Sequence, residues 1–233
     1  MKRHLEKARA ALEVWKASRK KRIEPLRRSL DCKPAFDLEY FRESVLYRFV
    51  ELAEATFVLL DAGNYLGAVI TVRSLEETSS VIWYLNDLCE EVIDNRELIR
   101  FTEQWKRLAL GWKGQNEFPE ALQILNLIDK ANKKLPGYRG HYDRLSEYLH
   151  PNWKGTMGLF AKTGGIKLKV EFGRYIRGKM PLLVHIETAL LNTIDLLQLA
   201  ESEYESMAGR FRDACSELHK EGKLKKQINY AEE

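Results

Sequence analysis

Hydrophobic residues recur every three or four positions along most of the chain, which is the spacing of one face of an α-helix. In residues 36–62, Leu38, Val45 and Phe49 belong to such a stripe, and residues 65–88 are apolar on nearly every side. A helix that is apolar all round is packed by other helices, so we expect residues 65–88 to form the central helix. The same spacing predicts further helices at 2–31, 94–112, 118–133 and 181–220.

The periodicity changes in the second half of the chain. Residues 141–151, HYDRLSEYLHP, predict a helix that Pro151 ends next to His150. In MGLFAKTGGIKLKVEFG, residues 157–173, two short apolar or alternating runs flank Thr-Gly-Gly, which is typical of a β-hairpin. We therefore predict a mainly α protein, a bundle of about six or seven helices with one small β-hairpin near 156–173.

Charge divides the chain unevenly. Residues 1–30 carry 11 Lys or Arg against 3 Glu, although the net charge of all 233 residues is only +4. We expect a basic N-terminal helical arm at 1–33, a helical-bundle core at 34–220 and a charged tail at 221–233. The three cysteines form no Cys-x-x-Cys pair and no 18-residue stretch is free of charge. Both features favour a reducing, cytoplasmic setting without a membrane.

A second basic segment, residues 150–180, mixes cations with four aromatic residues and a single acid, Glu171. Single-stranded nucleic acid needs this mixture, because cations contact phosphates and rings stack on bases. The alternative is a solvated basic surface whose rings point inward. The aromatic residues are Trp153, Phe160, Phe172 and Tyr175. The candidate nucleic-acid-binding residues are Lys154, Lys162, Lys167, Lys169, Arg174 and Arg177.

Polar residues form two rows on the helix predicted for 141–150. Residues spaced by three or by four lie near one another on a helix surface, so the two rows converge at His150. His150 also lies at the helix C-terminus, where partial negative charge favours the protonated imidazole. The first row consists of His141, Arg144, Glu147 and His150, and the second of Tyr142, Ser146 and His150.

Two charged residues, Arg73 and Glu76, interrupt the apolar central helix at a spacing of three. Their neighbours predict burial, and buried charges need partners. An arginine has five donors to satisfy, for which Glu76, Glu77 or Glu147 could supply carboxylate oxygens. We expect Arg73, Glu76, Tyr142 and Ser146 to support a candidate site around His150.

The string Arg144-x5-His150 resembles the Arg-x4-6-His motif of the HEPN superfamily, helical-bundle domains of bacterial toxins, antiphage systems and RNA-cleaving effectors. NYLGAVITVRSLEETSSVIWYL and YDRLSEYLHPN are also similar to an uncharacterised bacterial all-helical family with an Arg-x-x-Glu helix and a Tyr-x-x-x-Ser-x-x-x-His-Pro motif. This second similarity covers about residues 60–175 and brings no established activity. The chain departs from the HEPN pattern at Leu145, where a polar residue is usual, and at Pro151.

The HEPN resemblance implies a metal-independent endoribonuclease, without a cofactor, whose cleft forms between two protomers of a homodimer. By this analogy His150 would move the proton of a ribose 2′-hydroxyl, and Arg144 would stabilise the charge that develops on the phosphate. Glu147 lies between them and would hydrogen-bond either. The resemblance implies RNA as substrate and, for a toxin or defence effector, a protein partner such as an antitoxin.

The alternative is a polar lock, in which Tyr142, Arg144, Glu147 and His150 pair with Arg73 and Glu76 to hold the short helix on the central one. The protein would then be a non-catalytic helical module that binds nucleic acid or protein. Catalysis requires Arg144 and His150 to be accessible, whereas a lock requires them to be buried and paired. A metal site is disfavoured because His141 and His150 would face opposite sides of the helix.

Overall fold

The computed structural model describes residues 2–23, 33–114, 117–164 and 169–222. These ranges contain eight helices and one antiparallel two-stranded hairpin, which confirms the mainly α bundle with a small hairpin. The helices are α1 (Lys2–Ser18), α2 (Lys33–Asp61), α3 (Tyr65–Asn95), α4 (Ile99–Ala109), α5 (Ile124–Lys134), α6 (Tyr138–Leu149), α7 (Met157–Phe160) and α8 (Met180–Lys220). The strands are β1 (Ala161–Gly164) and β2 (Lys169–Phe172).

Helix α3 is the centre of the bundle and packs along α2 and α8. It begins after Gly63, whose φ of +66° suits a residue without a side chain, and Asn64 caps it by accepting the Gly67 N–H at 3.1 Å. It extends seven residues beyond the predicted end at Leu88, because Cys89 and Val92 continue its buried face. The all-round apolar pattern therefore corresponds to burial by several neighbours.

The basic N-terminal helix α1 packs on the bundle rather than projecting from it. Ala8, Leu12 and Trp15 are buried against the core. The helix ends at Ser18, earlier than the predicted 31, and the Ser18 hydroxyl and the Arg19 Nε both donate to the Trp15 carbonyl. The remainder of that prediction, residues 24–32 with Pro25, lies outside the described residues, as does 223–233 of the charged tail.

Helix α8 has the length and apolar composition of a membrane span, and the core helices of soluble proteins share both properties. Here it lies along α3, with Ile186, Leu190 and Leu197 buried in the core. Helix α6 packs against α3 near its middle and against the N-terminal part of α8. The candidate site is thus positioned where three helices meet.

Candidate functional site

Helix α6 turns one face toward α3 and α8. Gly137 precedes it with a φ of +94°, and the Asn132 side chain accepts the N–H groups of Gly137 and Arg139. The helix ends at Leu149, and His150 is extended, as a residue before proline prefers. The buried residues of α6 are Tyr138, His141, Tyr142, Leu145 and Tyr148.

Arg73 on α3 holds α6 through a cluster of polar contacts. Its Nε donates to the Ser146 hydroxyl at 2.9 Å, and its two terminal nitrogens contact the Tyr142 hydroxyl and the Glu77 carboxylate. The Tyr142 hydroxyl donates to Glu77 at 2.7 Å, and the Tyr142 ring lies 4.5 Å from the guanidinium carbon. Burial and the Glu77 carboxylate raise the pKa of Tyr142. The structure therefore brings together three of the predicted supporting residues, and Glu77 supplies the carboxylate.

The fourth supporting residue, Glu76, takes part in a different, fully buried pair. Its Oε1 lies 2.8 Å from His141 Nδ1, and the two residues are 0% and 2% exposed. Glu76 Oε2 and His141 Nε2 are buried and make no hydrogen bond with the described residues. Burial raises the pKa of Glu76, and the hydrogen bond from His141 opposes this shift. No group of three or more His, Cys, Asp or Glu in the described ranges is arranged to hold a metal.

The sequence did not identify His141 as the partner of Glu76, nor any role for His185. His141 shares the face of α6 that carries Leu145 and Tyr148, at spacings of four and seven, so its burial could have been predicted from the apolar stripe. The ring centroid of His185 on α8 lies 5.7 Å from that of His141. This contact joins residues 44 positions apart and has no signal in the local pattern.

The three candidate catalytic residues, Arg144, Glu147 and His150, lie on the outside of α6 and are exposed. The side chains of Arg144 and His150 form no hydrogen bond or ion pair with residues that the structure describes, and Glu147 accepts a long 3.4 Å bond from Asn152. In a regular helix, residues six apart are separated by about 120° around the axis and about 9 Å along it. The lock therefore consists of the Arg73 cluster and the Glu76–His141 pair, and Arg144, Glu147 and His150 remain accessible.

A basic aromatic surface, which we define as the exposed residues of 150–164 and 169–180, follows α6. Its backbone is fixed: Gly173 N–H donates to the Phe160 carbonyl at 3.0 Å, and Arg177 Nε donates to the Ala161 carbonyl at 2.8 Å. Arg174 donates to the Gly63 carbonyl at 2.9 Å, which ties the segment to the start of α3. Lys162, Lys169, Arg174 and Arg177 are exposed, Lys154 is half-buried, and Lys167 lies outside the described residues.

Two of the four aromatic residues on this surface face the solvent. Trp153 is 57% exposed and Phe172 is 79% exposed, whereas Phe160 and Tyr175 are half-buried and pack on each other at 5.8 Å. The alternative of inward-pointing rings therefore fits Phe160 and Tyr175, but it does not fit Trp153 and Phe172. The single acid, Glu171, stands opposite Lys162 in the hairpin register, where opposite charges compensate.

Comparison of the chain with protein-family models, with curated proteins and with solved structures finds no match. A fold class such as a helical bundle hosts many unrelated activities, so function must be inferred from the chemistry of particular residues. The two features with such chemistry are the basic aromatic surface and the exposed end of α6.

Proposed function

We propose that this protein binds single-stranded RNA on the basic aromatic surface. The observation that carries the proposal is the exposure of Trp153 and Phe172 among cations whose one neighbouring acid faces Lys162. Every base has a face that stacks on an aromatic ring, and every phosphate attracts Lys and Arg. The resemblance of Arg144-x5-His150 to an RNA-cleaving superfamily favours RNA over DNA.

At Trp153 a ring and a cation are adjacent in a way that suits a nucleotide chain. The Arg177 guanidinium lies 5.6 Å from the centre of the Trp153 ring, so one platform offers both a stacking face and a positive charge. On the hairpin, alternate residues point to opposite faces. Val170 and Phe172 therefore share one face, while Lys169 and Glu171 share the other with Lys162. Stacking and phosphate contacts can thus be removed separately.

The first test is RNA binding measured by fluorescence anisotropy with a labelled single-stranded RNA of mixed sequence. A base that loses its stacking partner loses about 1–3 kcal/mol, which raises the Kd about 5- to 150-fold. We expect this change in Trp153→Ala and in Phe172→Ala. The matched control is Trp112→Ala, because Trp112 is also 57% exposed but lies in the loop after α4; its Kd should equal that of the wild type.

The salt dependence of the same measurement tests the phosphate contacts. Each phosphate contact to a single strand contributes about 0.7 to the slope of log K against log salt. Lys162→Ala and Lys169→Ala should each lower this slope, whereas Lys113→Ala, at an exposed lysine elsewhere, should leave it unchanged. Equal affinity in wild type and both ring variants, or tighter binding of single-stranded DNA than of RNA, would contradict the proposal.

A second candidate function, RNA cleavage, is favoured by the accessibility of both Arg144 and His150 at the edge of the same surface. His150 would take the proton of a ribose 2′-hydroxyl as its oxygen attacks the adjacent phosphorus, and a protonated imidazole would supply the leaving 5′-oxygen with a proton. Arg144 would bind the phosphate while negative charge accumulates on it. Residues six apart on a regular helix diverge by about 120°, so we propose a homodimer in which Arg144 of one protomer and His150 of the other act on one phosphate.

Cleavage is tested with purified wild type, His150→Ala, Arg144→Ala and Glu147→Ala in the presence of EDTA. A general acid or base contributes about 10²- to 10⁴-fold, so His150→Ala should lose at least about 100-fold of the rate. All three residues are exposed, so the variants should keep the circular dichroism spectrum of the wild type. The products should end in a 2′,3′-cyclic phosphate. An inert wild type that still binds RNA would exclude cleavage and leave the binding proposal intact.

A further inference from the structure

Three rings meet where α6 packs on α8. The His185 ring of α8 lies 5.7 Å from the His141 ring and 5.8 Å from the Tyr148 ring, measured between centroids. His141 is hydrogen-bonded through Nδ1 to the buried carboxylate of Glu76 on α3. The His185 side chain is half-buried and makes no hydrogen bond with residues that the structure describes. The described contacts of His185 are therefore ring contacts with His141 and Tyr148.

The charges that His185 meets are mostly positive. Burial lowers its pKa, and the charges of His141, Arg144 and Lys154 lower it further. The carboxylate of Glu76 is hydrogen-bonded to His141 rather than to His185. Glu187, the next acid along α8, is paired with His4 of α1 at 3.0 Å. The titratable and charged groups around His185 are thus His141, Arg144 and Tyr148 from α6, Lys154 after α6, Glu76 from α3, and Glu187 with His4.

We propose that His185 is an acid-responsive contact, whose protonation loosens the packing of α6 on α8. A proton on this ring places a cation near Arg144, Lys154 and His141 in a half-buried position, and no carboxylate of the described residues forms a hydrogen bond or ion pair with it. Separation of the helices lets water solvate the new charge. Since α6 ends next to His150 and leads into the basic aromatic surface, the loosening extends to the segment that follows it.

The direction and the pH window follow from the lowered pKa. The packed protein holds the His185 proton less tightly than the open form, so stability of the packing is complete above the ordinary value of 6.5 and falls as the pH drops below it. The loss ends at the lowered pKa of the packed form. A single proton taken up on opening raises the opening constant by at most about tenfold per pH unit. The raised pKa of Glu76 acts in the opposite direction, so a local measurement is required.

The experiment is hydrogen exchange of the full chain, followed by mass spectrometry from pH 7.5 to 5.5 and corrected for the intrinsic pH dependence of exchange. Packing of α6 is measured without RNA, so the result does not depend on the proposed function. We expect the protection of α6 peptides in the wild type to fall by up to about tenfold per pH unit below 6.5. His185→Phe, which keeps a ring but cannot take a proton, should abolish most of this fall. His219→Gln, at an exposed histidine of the same helix, should behave as the wild type.

A second measurement requires no variant. The imidazole of His185 is titrated by nuclear magnetic resonance in the wild type, and its midpoint should lie below 6.5. A midpoint at or above 6.5, or the same loss of α6 protection in His185→Phe as in the wild type, would overturn the proposal. If His185→Phe does not fold, the titration of the wild type decides by itself.

Discussion

At the scale of single residues, the carboxylate of Glu76 is costly to bury. It is fully buried, and its side chain makes one hydrogen bond with the described residues, to His141. Removal of a carboxylate from water costs several kcal/mol of free energy, and the single hydrogen bond with the His141 imidazole offsets only part of this cost. This balance explains why the pKa of Glu76 is raised although a hydrogen bond opposes the shift.

We predict that His141→Ala lowers the free energy of unfolding by about 3–5 kcal/mol at pH 7.5, because it leaves a buried carboxylate without its partner. Glu76→Gln should cost less, about 1–3 kcal/mol, since the amide oxygen still accepts from His141 and no charge is buried, while the amide NH2 takes the place of the unpartnered Oε2. Urea denaturation of the two variants measures both values. Equal losses of unfolding free energy in the two variants would show that the charge of Glu76 does not account for the destabilisation.

The pH dependence of the same pair has a definite sign. Folded protein binds the Glu76 proton more tightly than unfolded protein does, so the wild type gains stability relative to Glu76→Gln as the pH falls through the raised pKa toward 4.5. Glu51→Gln, at an exposed glutamate on α2, provides the control with no such trend. A stability difference that moves the other way on acidification would contradict the raised pKa.

Residue-level prediction from the sequence succeeded where a local pattern carried the information. Burial of Glu76, and the need of both Arg73 and Glu76 for partners, follows from their apolar neighbours on α3, whereas Arg73 is half-buried rather than buried as predicted. The partners themselves lie 65 to 73 residues away in the chain, at His141, Tyr142 and Ser146. No spacing rule connects positions so far apart, so the pairing of Glu76 with His141 required the packed helices.

At the scale of elements, the basic helix α1 is partly neutralised by α2, one of the two helices on which it packs. Lys16 pairs with Glu54 at 2.5 Å, and Arg9 pairs with Asp61 at 2.6 Å. After the helix ends, Lys20 N–H donates to the Glu43 carboxylate at 2.8 Å. A cluster of charge that looks like a binding arm in the sequence is therefore in part an interface between α1 and α2.

Apolar contacts also hold α1. The Trp15 ring meets the Phe49 ring edge-on, with centroids 5.2 Å apart. We predict that Trp15→Ala lowers the free energy of unfolding by about 3–5 kcal/mol, the usual loss for a buried tryptophan. The adjacent exposed residue provides a matched control, and Val14→Ala should change the stability by less than about 0.5 kcal/mol. Chemical denaturation measures both, and similar small losses would mean that α1 is only loosely attached.

Element boundaries were less predictable than element types. Helix α5 begins at Ile124 rather than at the predicted 118, because residues before it are held in a loop. The Trp112 N–H donates to the Pro119 carbonyl at 3.0 Å, and Arg107 Nε donates to the Glu120 carbonyl at 2.9 Å. These bonds cross the loop and use groups that a longer helix would need, so the hydrophobic spacing alone could not locate the helix start.

At the scale of the whole molecule, the polar residues of α6 separate into an inner and an outer set. Tyr142 and Ser146 bind Arg73, and His141 binds Glu76, so the inner set fixes α6 on the central helix. The outer set, Arg144, Glu147 and His150, is exposed to solvent where α6 leads into the basic aromatic surface. A structural lock and a candidate active site therefore share one helix, on different faces.

The helical class, the central helix, the hairpin and the end of α6 just before Pro151 could all be inferred from the sequence, because each depends on local spacing or on the geometry of proline. Tertiary structure alone decided that α1 lies on the bundle, that Glu76 pairs with His141, and that Trp153 and Phe172 face the solvent. These outcomes depend on which surfaces meet when the helices pack, and surfaces distant in the chain meet for reasons of shape and charge that no local window contains.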